Sequence, residues 1–509
     1  MHRITPVLCF LLAIYAGACA SSSTTALAQD GTRTDKQLKQ VLSSILDDEQ
    51  FRNAWWGVHV VDVESGREVY HHMADQSFIP ASNTKLFTTA AVLDQLGPDF
   101  MYETTLYRDG PIVDGVLKGN IIVRGSGDPV IGGRFNDGDL TEAFRKWAST
   151  LKEQGIRTID GDVIGDDDFF DDTLLGYGWS WDDEPYWYAA EIGALSFNDN
   201  CVDFSLVAQQ PGQPTLVEWA PHQTSFIQVS NQSVTLGEGS DLEEGYARTR
   251  DSNQFTLSSH VPSGRTDYES LSVHNPTAYF VHVFREVLLK EGIAVTGRPV
   301  DGDMLSIKPD YANTNVVAIT THESVPMADI VGVINKRSQN LYAEQVLKSL
   351  GALRPMENMD YLPGSAAMGV AASMRTFAAA RVDTSRLQLV DGSGLSRMNL
   401  IAPSMTTALL QYMWHHDDEA TKEAWLTSLP IGGIDGTLRF RYKEGEPGRN
   451  NVRAKTGTVS NASTLSGYVT SVGGTTFAFS IMNNHYTIPT SESRSFQDAL
   501  VNVLANHQR

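Results

Sequence analysis

Ser82 and Lys85, three residues apart in Ser82-Asn83-Thr84-Lys85, have the side chains of a nucleophile and its base. On a helix, residues three apart share a face, so the amine would stand one turn from the hydroxyl. A serine hydroxyl attacks poorly until a base takes its proton, and a lysine desolvated by apolar neighbours is neutral enough to do so. Two further strings supply what such a pair needs. Ser338-Gln339-Asn340 offers a second hydroxyl and a side-chain amide; Lys455-Thr456-Gly457 offers a carboxylate-seeking cation beside a glycine that lets another backbone approach closely. Together they describe acyl transfer through a serine ester.

Spelling alone does not establish this. A chain of 509 residues holds roughly one or two S-x-x-K and S-x-N strings by accident, and only about a tenth of a K-T-G. Accidents are present: Ser149-Thr150-Leu151-Lys152 and Ser196-Phe197-Asn198 repeat the first two patterns, whereas Lys455-Thr456-Gly457 occurs once. The bland alternatives are a capping Ser82 with a solvated Lys85, and an edge lysine beside a turn glycine at 455–457. Local context must decide.

From Pro80 to Gly97, Leu86, Ala90, Leu93 and Gly97 recur at helical spacing; Pro80 stops any earlier helix and Gly97 ends this one. Ser82 therefore opens a helix whose N-terminal field favours a developing oxyanion. Ser149 falls in the last turns of a charged amphipathic helix over 140–155 and lacks that field. Residues 451–458, 465–470 and 475–482 read as strands, the last two joined by a turn at Gly473-Gly474. A hairpin of 56–63 and 67–70 should share their sheet. A helical stretch from Met327 to Leu350 carries Ser338 and Asn340, and Phe496 to His507 reads as a final packing helix.

The ordered trio resembles the penicillin-recognising serine acyl-transferases. Close to half of the chain separates Lys85 from Ser338, and this gap resembles the D-alanyl-D-alanine carboxypeptidase/endopeptidase family, the class C low-molecular-mass penicillin-binding proteins. Asp391 to Pro403 is similar to that family's segment between its second and third motifs, whose arginine, here Arg397, borders the active site. Gly161 to Phe170 is similar to an inserted segment that sends an aspartate to the substrate's side-chain amine. Asp166 is the matching residue, with the register open as far as Asp168. Ala194 to Cys201 also resembles the family and makes the second S-x-N an inserted-domain strand.

What the resemblance implies is specific. The fold is α/β (α+β): a β-lactamase/transpeptidase-like domain of antiparallel sheet flanked by helices over 29–100 and 306–509. It is interrupted by a mixed α/β domain, 101–202 and 276–305, and a β-rich domain, 203–275. Ser82 would attack a peptidoglycan stem peptide with Lys85 as base. Ser338 and Asn340 would relay the proton and orient the groups, while Lys455 with Thr456 holds the substrate's terminal carboxylate and Gly457 lets its backbone approach closely. The backbone N–H groups of Ser82 and Thr458 would form the oxyanion hole. β-Lactam antibiotics would acylate Ser82. A β-lactamase or esterase of the same superfamily and a non-catalytic wall-binding protein remain the alternatives.

Composition narrows the setting. Arg3, an apolar run from Pro6 to Ala18, and Ala26-Leu27-Ala28 read as a signal peptide over 1–28, so the protein is expected in the periplasm or cell envelope. Cleavage before Cys19, giving a lipoprotein, is the competing reading. The net charge of −22 argues against nucleic acid or anionic membrane surfaces as partners, and no later run is long enough for a transmembrane helix. With Cys9 and Cys19 in the leader, Cys201 has no partner and no disulfide is expected. His71-His72 and His415-His416 lack the neighbours of a metal site, and there is no nucleotide fingerprint, so no cofactor is expected.

Overall fold

A five-stranded antiparallel sheet supports the site in the computed structural model, which describes residues 32–508. The leader assigned to residues 1–28, with Cys9 and Cys19, lies outside the described residues. The strands run in the order Glu68–His72, Trp55–Asp62, Thr476–Asn484, Ala462–Thr470, Arg453–Val459. The hairpin and the K-T-G strand thus share one sheet, with K-T-G on its edge. Leu38 and Leu42 of helix Asp35–Leu46 and Leu500 and Leu504 of helix Thr490–Ala505 cover one face. A helical layer covers the other, which explains why eight of the nine residues of Ala462–Thr470 are buried rather than every second one.

The chain enters the nucleophile helix through a 3-10 turn, Ala81–Asn83, and continues as an α-helix over Thr84–Leu96, closed by Gly97 at φ +86°. Apolar spacing marks one buried face, but every residue from Thr84 to Leu93 is buried. Thr88 and Thr89 are accommodated by donating to the Gly392 and Lys85 carbonyls, at 2.8 and 2.6 Å.

The stretch from Met327 to Leu350 is two helices, Met327–Arg337 and Asn340–Leu353, not one. Ser338 breaks them with φ +61°, a left-handed conformation that no helix continues through. Helix Asn340–Leu353 crosses helix Ala366–Ala379 at a glycine contact. A Cβ on Gly369 would lie 2.1 Å from the Leu347 carbonyl oxygen, and one on Gly351 would lie 2.6 Å from the Gly369 nitrogen.

The inserted material carries a second five-stranded sheet, in the order Pro299–Asp301, Val163–Asp166, Ile121–Arg124, Glu103–Arg108, Val317–Glu323. Val317–Glu323 extends this sheet beyond residue 305, where the sequence places the return to the catalytic domain. Eight short strands between Cys201 and Ser272 form small sheets of their own. Phe204, Phe255 and Leu257 from these strands meet Phe144 and Phe280 from the mixed part, so the two insertions share one hydrophobic core. Val130, Phe170, Ile192 and Ala194 leave that body and pack among the catalytic helices.

Both chance motifs are structural. Ser149 is exposed on helix Glu142–Glu153 and faces Glu153 at 3.4 Å. Ser196-Phe197-Asn198 is not a strand, as its sequence had implied. Asn198, Asp199 and Asn200 all have φ between +50° and +54°, so they turn, and the strand begins at Cys201. Cys201 is buried and free.

Filling the helix crossing is expected to be costly. Gly369→Val forces a side chain into backbone and should destabilise the fold by about 3 kcal/mol, read as a lower urea midpoint with an unchanged slope.

Candidate active site

Lys85 has no solvent exposure, and three acceptors surround its amine. Nζ lies 2.9 Å from Ser82 Oγ, 2.6 Å from Asn340 Oδ1 and 2.6 Å from the Ser393 carbonyl oxygen. Two of these groups are pure acceptors, while the hydroxyl can also donate. As a neutral amine, Lys85 spends two hydrogens on Asn340 and Ser393 and turns its lone pair to the Ser82 hydroxyl. Burial drives the lysine toward that form, lowering its pKa to about 7 against the opposing charges of Glu344 and Asp391.

Those two carboxylates build the wall behind the amine. Glu344 accepts the Gly392 and Ser393 N–H groups at 2.9 and 2.7 Å, which aims the Ser393 carbonyl at Lys85. Burial, then the charge of Asp391, raises the Glu344 pKa to about 7. Asp391 accepts from the Gly394 and Ser396 N–H groups, from Asn399 and from Trp179 Nε1. Asn340 is held on both ends, since its Nδ2 donates to the Tyr188 carbonyl at 2.6 Å.

Lys455 forms a second buried centre. Nζ donates to Ser338 Oγ at 2.9 Å and to the Thr456 carbonyl at 2.8 Å, and it has no acidic partner among the described residues. Burial, and then repulsion from Lys85, depresses its pKa strongly. A carboxylate arriving here would supply the missing counter-charge and favour the ammonium form. Thr456 Oγ1 donates to Thr437 Oγ1 at 2.8 Å. Gly457 serves the fold: a Cβ there would lie 2.3 Å from Thr464 Oγ1 and 2.9 Å from the Ser82 nitrogen. The space left by the missing side chain is taken by the nucleophile's own turn. Asn83 Nδ2 ties that turn to the strand by donating to the Lys455 carbonyl at 2.9 Å.

Ser82, Lys85, Ser338, Asn340 and Lys455 thus converge. The other candidates are placed differently. Arg397 is exposed and donates to the Ser460 carbonyl, just past Thr458, whose hydroxyl faces Arg494 at 3.2 Å. Asp166 ends an inserted strand and is buried; it accepts from the Tyr311 hydroxyl and lies 4.0 Å from Arg124 Nε. None of these contacts reaches the serine–lysine cluster. Asp167 is bonded to Thr277 and Asp168 to Lys308. Asp167, Asp168 and Asp303 bring ligand atoms within 4.8 Å of one another, a carboxylate cluster whose third member lies far along the chain from the first two.

A serine–lysine pair opening a buried helix against the edge of an antiparallel sheet defines a penicillin-recognising serine acyl-transferase. The chain belongs to the D-Ala-D-Ala carboxypeptidase 3 (S13) family, whose profile matches residues 38–507. It is 31% identical to a D-alanyl-D-alanine carboxypeptidase of Actinomadura sp. (strain R39), over 92% of this chain and 85% of that one. It is 29% identical to the D-alanyl-D-alanine carboxypeptidase DacB of Haemophilus influenzae, over 84% and 85%. The crystal structure of penicillin binding protein 4 from H. influenzae superposes with a TM-score of 0.75 at 25% identity, covering 91% of this chain and 98% of that one. No described helix is long and apolar enough to cross a membrane.

The lysine sets a pH dependence. The base works when neutral, so acylation of Ser82 by a penicillin should be fully present above about pH 7 and fall as Lys85 protonates below it. Because the charge of Glu344 raises the lysine's pKa, Glu344→Gln should move this limb to lower pH, read by stopped-flow acylation across pH. An unmoved limb would show that another group controls it.

Proposed function

We propose that this chain hydrolyses D-alanyl-D-alanine peptides of peptidoglycan through an acyl-enzyme on Ser82, as a carboxypeptidase on stem peptides and an endopeptidase on D-alanyl cross-links. The observation that carries this reading is the Lys85 amine, wholly buried, 2.9 Å from Ser82 Oγ and fixed by two carbonyl acceptors. Ser82 attacks the carbonyl of the penultimate D-alanine while Lys85 takes its proton. The Ser82 and Thr458 N–H groups receive the oxyanion. Lys455 and Thr456 hold the carboxylate of the residue being expelled, and Ser338, bonded to Lys455, relays the proton taken up by Lys85 to the leaving amine, which returns Lys85 to its neutral form. Water then releases the acyl group and regenerates Ser82.

The donor peptide lies along the K-T-G strand, an edge with backbone groups available for pairing. Arg397 borders this cleft beside Ser460. For Asp166 to take a substrate amine, the bond from Tyr311 must open. The leader-like sequence supports action in the periplasm or cell envelope.

A β-lactamase would share Ser82 and Lys85 but discharge the acyl-enzyme rapidly. Glu344, the acid whose charge acts on Lys85, is committed to two backbone N–H groups, which favours a long-lived penicilloyl enzyme. Labelling with a fluorescent penicillin followed by a chase tests this. Stable label absent from Ser82→Ala, together with release of D-alanine from a D-alanyl-D-alanine pentapeptide, is the expected outcome. Rapid loss of label would favour the lactamase, and label without D-alanine release a mere binder.

A further inference from the structure

Between the inserted body and the catalytic domain runs a groove of about 1180 Å³. We propose that it binds the leaving half of a cross-linked stem peptide, with Arg337 and Arg439 recognising carboxylates on that half. The inference rests on the acyl-transfer reading above and names the substrate portion that reading leaves unplaced.

Its position follows from the motifs. Arg337 and Gln339 of the S-x-N loop line it, as does Thr437, whose hydroxyl accepts from Thr456. Trp187, also in its wall, directly precedes Tyr188, whose carbonyl holds Asn340. The groove therefore opens at the Lys455–Thr456 end of the cleft, where the expelled residue's carboxylate is held. Whatever that residue carries beyond its own carboxylate extends this way. A single D-alanine would leave nearly all of the groove empty, since its volume exceeds the roughly 300–1,000 Å³ of a drug-sized site.

Charge selects the occupant. Of the cations in the groove, Arg134 is paired with Asp199 and Lys336 with Asp435. The side chains of Arg337 and Arg439 are exposed, and neither guanidinium has a hydrogen-bonding or ionic partner among the described residues. In a chain of net charge −22, two free guanidinium groups on one wall form a local reversal suited to bidentate carboxylate binding. Asp203 and Glu269 stand on the inserted body's wall, so the groove suits a peptide carrying an amine as well as carboxylates. Gln339, 4% exposed, donates to Asp199 and so ties the S-x-N loop to the inserted body's wall of the groove. Phe440 and Tyr268, 92% and 74% exposed, add aromatic surface of the kind enriched where peptides bind.

The test compares a D-alanyl-D-alanine pentapeptide with a D-alanyl cross-linked stem dimer. In Arg337→Glu/Arg439→Glu, KM for the dimer should rise relative to KM for the pentapeptide by about tenfold, the scale of losing one charged contact. A dimer whose leaving half is amidated, except at the carboxylate beside the scissile bond, should show the same loss with the unaltered protein and no further loss with the variant. Equal changes on both substrates, an unchanged ratio, or indifference to amidation would overturn the groove's role. Failure of the unaltered protein to be acylated by penicillin or to release D-alanine would instead refute the acyl-transfer reading, and the groove's role with it.

Discussion

Two lysine amines are buried in one cluster, and the surrounding architecture answers the cost of keeping them there. A buried ammonium without a partner is expensive, so each lysine is pushed toward neutrality, and each repels the other's charge. Direct ion pairs would remove the strain but leave Lys85 permanently protonated and useless as a base. The acids are instead held one layer back. Glu344 and Asp391 bind the backbone of the Gly392–Ser396 loop, and their charge reaches Lys85 without a carboxylate touching it.

This arrangement makes the scaffold's less regular features intelligible. The nucleophile helix must be covered on all sides, because a solvated Lys85 would regain its proton. Ser338 turns left-handed so that its hydroxyl faces Lys455 while Asn340 begins a new helix facing Lys85. That helix carries Glu344 one turn on, and its glycine crossing with the next helix sets how closely the layer packs. Farther along, Lys348 donates to the Asp171 and Thr173 carbonyls, anchoring the inserted segment that returns to the site through Trp179 and Tyr188. The insertion is thus wired into the catalytic cluster, and the groove between the two bodies reaches Thr437, whose hydroxyl accepts from Thr456.

Much of this was legible in the chain. The order of the three motifs, the apolar periodicity after Ser82, the strand pattern around Lys455 and the long gap before Ser338 were enough for the fold class and for the residues that converge. The helix break at Ser338 was not, because a left-handed φ on a serine leaves no mark in hydrophobic periodicity. Asn198 of the second S-x-N turns instead of continuing the expected strand, and its positive φ is equally invisible in the sequence. Glu344, the Ser393 carbonyl and Tyr188 went unnoticed as site components. One is an acid inside an otherwise ordinary helix, and the other two act through backbone oxygens that every residue possesses.

The sequence by itself determined which groups are candidates to react: a serine one helical turn from a lysine, a second hydroxyl and amide, and a cation on a strand. These depend on residue type and on spacing within single elements. Only the tertiary structure decided the protonation that makes them reactive, the commitment of Asp166 to Tyr311, and the groove beyond Thr456. A lysine's pKa, a carboxylate's partner and a cavity's walls depend on groups brought together from distant parts of the chain, and local sequence does not encode those distances.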